Sequence, residues 1–196
     1  MEADHPARKA AVAAVIGLSL TLGACAAATP YQPIGPHAVS GGYSDVRLAP
    51  DRYRVNFEGN AFTSRDRVEG YLLYRAAELT TQQGYDWFRI EDRSTRRDVH
   101  KVFRPDPFYH PWYGAGYAYW TPSWRYYRAY GGWATWNPYW GGPFWASRVD
   151  VRTVQRFEAT AEISLHHGAK PADAPGSFDA RQVIANLGPT LERPTD

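Results

Sequence analysis

The chain is short of several things at once. A single cysteine in 196 residues excludes an internal disulfide and any cysteine-rich zinc or iron–sulfur centre. Twenty-two bases stand against twenty acids, a net charge of +2. That balance lacks the basic excess that a phosphate backbone selects, and argues against nucleic-acid binding. The apolar run Ala10 to Leu22 is short of the ~20 residues that cross a bilayer as a permanent helix. G-x-S-x-G, H-E-x-x-H, a Walker-type phosphate loop and C-x-x-C are all absent, so no enzyme class announces itself. We expect no enzymatic activity, no cofactor and no metal. The length supports one ordinary domain with some additional material. What is abundant is aromatic: 8 Trp, 14 Tyr and 8 Phe.

The amino terminus reads as an export signal. Arg8 and Lys9 form a short basic stretch, diluted by Glu2 and Asp4, and Ala10 to Leu22 follow as 13 almost unbroken apolar residues. That length suits the apolar region of a secretory signal. The run ends Leu22-Gly23-Ala24-Cys25, which resembles the lipobox of bacterial lipoproteins, with Cys25 acylated and becoming the first residue. The thiol would carry a diacylglycerol and the freed amine a further palmitate-type chain. At ~0.8 kcal/mol per buried CH₂, two or three chains hold a domain on a membrane where one would not. Ala26 rather than an acid follows the cysteine, so the periplasmic face of the outer membrane is the expected location. Residues 1–24 carry two bases and two acids, and their removal leaves the charge at +2. Residues 25–42 are rich in Ala, Pro and Gly without periodicity and are expected to be an extended tether.

The domain is expected over 43–188, with 189–196 as a tail. Tyr53, Val55 and Phe57 alternate in a half-buried strand. Thr63 and Asp66 resemble a capping box. Val68, Tyr71, Leu72, Ala76 and Leu79 then recur at helical spacing, and Gly84 sits where a left-handed terminator is wanted. This predicts a helix over 64–83. Residues 85–90 open a second strand, and strand–helix–strand with short joints implies two parallel strands. From Arg148 to Leu165, Val149, Val151, Phe157, Ala159, Ala161, Ile163 and Leu165 hold odd positions, which predicts a long hairpin with 85–104 running out and 148–165 returning. Asp179 with Gln182, Phe178 beside Val183, and Gly188-Pro189 mark a last short helix. The expected fold class is α+β, a small two-layer sandwich.

These residues resemble a family of uncharacterised proteobacterial lipoproteins. The resemblance rests on the lipobox, Gly41-Gly42-Tyr43-Ser44-Asp45, Gly59-Asn60, the run Tyr71-Leu72-Leu73-Tyr74-Arg75-Ala76-Ala77-Glu78-Leu79, and Gly84-Tyr85-Asp86-Trp87-Phe88. It covers most of 41–92 and, more weakly, 148–187. It implies a lipid-anchored envelope protein and carries over no activity or site residue.

Residues 107–147 stand apart as an insertion with seven of the eight tryptophans, eight tyrosines, five prolines and six glycines, and with Arg125 and Arg128 as the fixed bases. No strand or helix period persists there, and such a loop is commonly functional or disordered. Three readings stay open: aromatics stacking on one another with a role in self-association, contact with the headgroup boundary that Trp and Tyr prefer, or a stacking platform for glycan or peptidoglycan. Trp112, Trp120, Trp124, Arg125, Arg128, Trp133, Trp136 and Trp140 are the candidate ligand- or membrane-contact residues. Deleting 107–145 is expected to leave the core folded. Glu78 lies three residues after Arg75, so a local ion pair is expected rather than a catalytic carboxylate. His166 and His167 are strand neighbours on opposite faces and are not expected to share a metal. Asp45 and Asn60 are assigned to turns and caps. The expected function is structural or binding at a membrane, with peptidoglycan or envelope proteins as candidate partners. The alternative is a glycan- or peptidoglycan-acting enzyme that uses the insertion to hold substrate.

Overall fold

The computed structural model describes residues 27–91, 115–117, 120, 122–128, 132–136 and 154–194. Strand β1 (Gly42–Ala49) turns through Pro50-Asp51 into β2 (Arg52–Glu58), whose alternating Tyr53, Val55 and Phe57 are all buried. Helix α1 (Arg65–Gln82) follows, then β3 (Trp87–Ile90). After these come β4 (Ser123–Arg128), β5 (Gly132–Trp136), the 13-residue β6 (Val154–His166), β7 (Ser177–Asp179) and α2 (Ala180–Leu187).

The strands form one antiparallel sheet, with β1-β2-β6-β3-β7 as its main path. β6 is its axis. One edge pairs with β2, from Arg52↔Ser164 to Glu58↔Glu158. Along the other edge β3 and β4 lie end to end, β3 against Ile163–His166 and β4 against residues 154–160. The α+β sandwich expected from the pattern is the architecture found. Phe57, Ala159, Ala161, Ile163 and Leu165 turn to one face and pack with both helices in a single apolar core.

Several expectations change. β2 and β3 run in the same direction, each antiparallel to β6, but β6 lies between them and they do not pair. The long hairpin holds only where β3 meets β6, because the next stretch of that edge belongs to β4; residues 92–104 and 148–153 lie outside the described residues. α1 is capped by Ser64, whose side chain accepts from the Arg67 N–H, and not by Thr63. Gly84, with φ of +82°, ends that helix in the left-handed region that glycine tolerates. Asp179 caps α2 as its spacing predicts, accepting from the Gln182 N–H at 2.8 Å.

The largest change is at the amino-terminal side. Residues 27–42 are not an extended tether over their length. Thr29, Tyr31 and Gln32 are buried, Pro33 bridges to Tyr43, and the Tyr31 N–H donates to the Glu192 carbonyl at 2.7 Å. Gly41 and Gly42 make the close approach possible. Both have positive φ, and a Cβ on either would sit 2.3 Å from a backbone carbonyl oxygen, that of Glu58 or of Gln32. Only glycine fits there.

α1 is consequently buried around most of its circumference, with Val68 to Ala77 all buried. The sheet covers one side and α2 another. Tyr31 packs edge-on against Tyr71 and Tyr74, and the Trp120 indole donates to the Glu69 carbonyl at 3.2 Å. Segments remote in sequence close over the faces that the helical stripe alone would leave wet.

Candidate functional site

Two polar constellations stand out, and their chemistry separates structure from surface. The first surrounds Arg75. Its guanidinium lies 2.8 Å from Asp45 and 2.5 Å from Glu78, and 4.4 Å above the Tyr43 ring. The Tyr31 hydroxyl donates to the same Glu78 oxygen at 2.6 Å. Burial opposes the charge on Arg75, but the hydrogen bonds it donates to Asp45 and Glu78 outweigh it and hold the guanidinium protonated beyond its ordinary range. Burial, then the Glu78 bond, pushes the Tyr31 hydroxyl well above its ordinary value. The Arg75–Glu78 pair is the one its spacing predicts. Asp45 is corrected: it sits within β1 as the second carboxylate of this cluster, not in a turn. Every polar partner is engaged, so the cluster acts as a clamp that joins β1, α1 and the Tyr31 segment. It brings together the residues of two separate motifs, Tyr43-Ser44-Asp45 and Arg75-Ala76-Ala77-Glu78.

The second lies on the sheet face turned away from the helices, where β6 displays its even-numbered residues. Arg125 reaches Glu158 at 2.7 Å, Arg54 reaches Glu162 at 2.7 Å, and Arg156 stands 3.8 Å from Glu58. Arg125 also lies 4.8 Å from the Trp133 ring centre, and Arg156 lies 5.3 Å from that of Tyr127 and 5.9 Å from that of Trp133. Tyr127 meets Trp133 edge-on at 5.5 Å. The arginines are roughly half exposed, 46% for Arg125 and 42% for Arg156. Arginine planes beside partly exposed aromatic faces suit anionic headgroups or sugar rings.

The register places this cluster at one particular end of the sheet. Glu58, the last residue of β2, is opposite Glu158, and β6 extends beyond that point through Arg156 to its start at Val154. The Gly59 N–H donates to the Phe157 carbonyl at 2.8 Å. From there the chain makes the turn 60–63, where the Asn60 side chain accepts from the Phe62 N–H at 3.0 Å and donates to the Ala27 carbonyl at 2.8 Å. Thr63 accepts from the Thr29 N–H at 2.8 Å. Asn60 thus has the turn role its type predicts, and in addition pins the amino-terminal segment. Phe62 is 60% exposed on this turn.

The residues singled out from sequence divide sharply. Trp120 and Trp124 are corrected: they are 3% and 1% exposed, members of the core, and present no ring to a membrane or ligand. The Arg65 guanidinium covers Trp124 at 5.4 Å. Arg125 and Trp133 join the outer-face cluster. Arg128 is exposed at the end of β4, and Trp136 is in β5 opposite Trp124. Leu22, Gly23, Ala24, Cys25, Trp112 and Trp140 lie outside the described residues. Tyr127, Arg156 and Phe62 escaped sequence reasoning. Phe62 alone carried a signal, as a large apolar residue inside a turn. His166 and His167 stack separately, on Trp87 at 4.1 Å and on Tyr85 at 4.3 Å. Among the described residues no three His, Cys, Asp or Glu side chains gather as a metal site would require, and no helix is long and apolar enough to cross a membrane. No protein-family model, curated protein or solved structure matches the chain.

Proposed function

We propose that this chain is a lipid-anchored cell-envelope protein, held by acyl chains on Cys25 at the periplasmic face of the outer membrane, with a structural or binding role and no catalysis. The observation that carries it is the 13-residue apolar run ending in Leu22-Gly23-Ala24-Cys25. A cysteine at that position needs no partner within the chain, since acylation consumes its thiol. Membership of the proteobacterial lipoprotein family is part of the same proposal. The Arg75 clamp and the pinning of residues 27–33 support it, because they make the segment after Cys25 part of the domain. Growth with radiolabelled palmitate should label the protein, and Cys25→Ala should abolish both label and membrane fractionation. Unchanged fractionation of Cys25→Ala would overturn the proposal.

The partly exposed rings of Tyr127 and Trp133 favour a second reading, a glycan-holding enzyme. Its carboxylates are less suited: Glu158, Glu162 and Glu58 are each engaged by an arginine, whereas glycoside cleavage needs a carboxylate pair facing the sugar bond. Co-sedimentation with purified peptidoglycan separates the two. Binding without soluble fragments indicates an adaptor, and release of fragments an enzyme.

A further inference from the structure

We propose that the turn 60–63 is the part of the domain that enters the membrane, with Phe62 as its apolar wedge and the Tyr127–Trp133–Arg156 cluster at the headgroup level beside it. This rests on acylation at Cys25. Chain reach makes the first step. Ala27 is two chain steps from Cys25, and two residues span about 7 Å at most. Ala27 is not free to swing, because its carbonyl is held by Asn60 at 2.8 Å and its neighbour but one, Thr29, by Thr63 at 2.8 Å. An anchor on so short a leash holds the turn that carries Asn60 close to the bilayer surface.

What that turn exposes makes the second step. Phe62 is the most exposed large apolar side chain among those described, at 60%, and Ala61 beside it is exposed as well. A phenylalanine in water gains by entering the acyl boundary, and it lies two residues from the side chain that grips the anchor segment. The flank makes the third. Arg156 stands against Glu58, immediately before the turn, and carries Tyr127 and Trp133 with it at the same end of the sheet. Aromatic rings and arginines favour the interface, and the arginines favour anionic lipid. The other exposed apolar residues of the sheet, Val46 and Leu48, lie toward the opposite end of β1, near the turn into β2, so the two ends make distinguishable predictions.

The test uses the full chain, processed in cells and reconstituted in vesicles of phosphatidylethanolamine and phosphatidylglycerol. With Cys25 acylated, an added cysteine is the single reactive thiol. Phe62→Cys, Ala61→Cys and Val46→Cys are each labelled with an environment-sensitive fluorophore; the second site on the turn guards against a local defect at the first. Probes at 62 and 61 should shift to the blue and be quenched by lipid-borne quenchers at least threefold more than by aqueous iodide. The probe at 46 should show the reverse. Protein that floats with vesicles while the probes at 62 and 61 stay as accessible to iodide as the probe at 46 overturns the membrane-entering turn and leaves the anchor intact. Protein that does not float overturns the anchor itself, and this placement with it.

Discussion

Arg75 carries more of the fold than any other charged side chain described. Removing it leaves Asp45 and Glu78 facing each other without a counter-charge, in a site where its own side chain is 9% exposed. Arg75→Ala is expected to cost about 2–4 kcal/mol, and Arg75→Lys to restore little, because an ammonium cannot reach both carboxylates with a planar fork. Arg54→Ala, whose ion pair with Glu162 is open to solvent, the arginine being 45% exposed, should cost under about 1 kcal/mol. Urea denaturation of the three variants checks the ordering. Tyr31 adds a pH signature. Its hydroxyl is pushed upward by burial and by Glu78, so the native state keeps the proton while the unfolded chain loses it near its ordinary value of about 10. A raised value contributes stability that is complete below that pH and fades as pH rises above it. Stability should therefore fall above about pH 10, by up to ~1.4 kcal/mol per pH unit for each such group. Tyr71 and Tyr117, also raised by burial, share in this. Tyr31→Phe should flatten the slope by about one proton, measured by denaturation at a series of pH values.

At the scale of elements, the aromatic insertion is two different things. Part of it is core. Tyr117, Trp120 and Trp124 are buried with Phe88 and Phe178, Trp124 packs edge-on against the partly buried Phe157, and β4 completes the edge of β6. Deleting 107–145 therefore strips a wall from α1, and the expectation that the core survives is reversed. Such a variant should lose its cooperative unfolding transition. Trp124→Ala should cost about 3–5 kcal/mol, whereas Trp133→Ala, on the outer face, should leave the transition within about 1 kcal/mol of the parent. The pair of variants, followed by thermal or urea unfolding, separates buried aromatics from displayed ones. The amino-terminal segment behaves as an element too. Gly41→Ala would place a Cβ 2.3 Å from the Glu58 oxygen at a φ of +97°, and should loosen residues 29–43 and speed hydrogen exchange most where Tyr31 now docks.

Over the whole molecule, the sheet has a wet face and a covered one, and two ends of different character. The end at 59–63 gathers residues 27–29, Phe62 and the arginine–aromatic cluster, while the end at Pro50-Asp51 carries the β1–β2 turn. If Cys25 is acylated, this polarity orients the domain.

Periodicity and capping chemistry are local, and they were legible from the residues alone: α1 from its apolar spacing and Gly84, α2 from Asp179 and Gln182, β2 and β6 from their alternation, and the α+β class from all of these together. The proposed anchor at Cys25 rests on an equally local pattern, Leu22-Gly23-Ala24-Cys25 at the end of an apolar run. What the tertiary structure decided was which partner each face receives. Asp45 looked like a turn residue because its partner, Arg75, is thirty positions away. Trp120 and Trp124 looked like their exposed neighbours because composition does not distinguish a ring that fills a gap beside Phe178 or Phe157 from one that faces solvent. Residues 27–42 looked like a tether because Ala, Pro and Gly mark irregular chain, and irregular chain can still be fixed by hydrogen bonds to Asn60, Thr63 and Glu192. Local energetics write the elements into the sequence; long-range pairing, which depends on where the chain returns in space, sets what each of them covers.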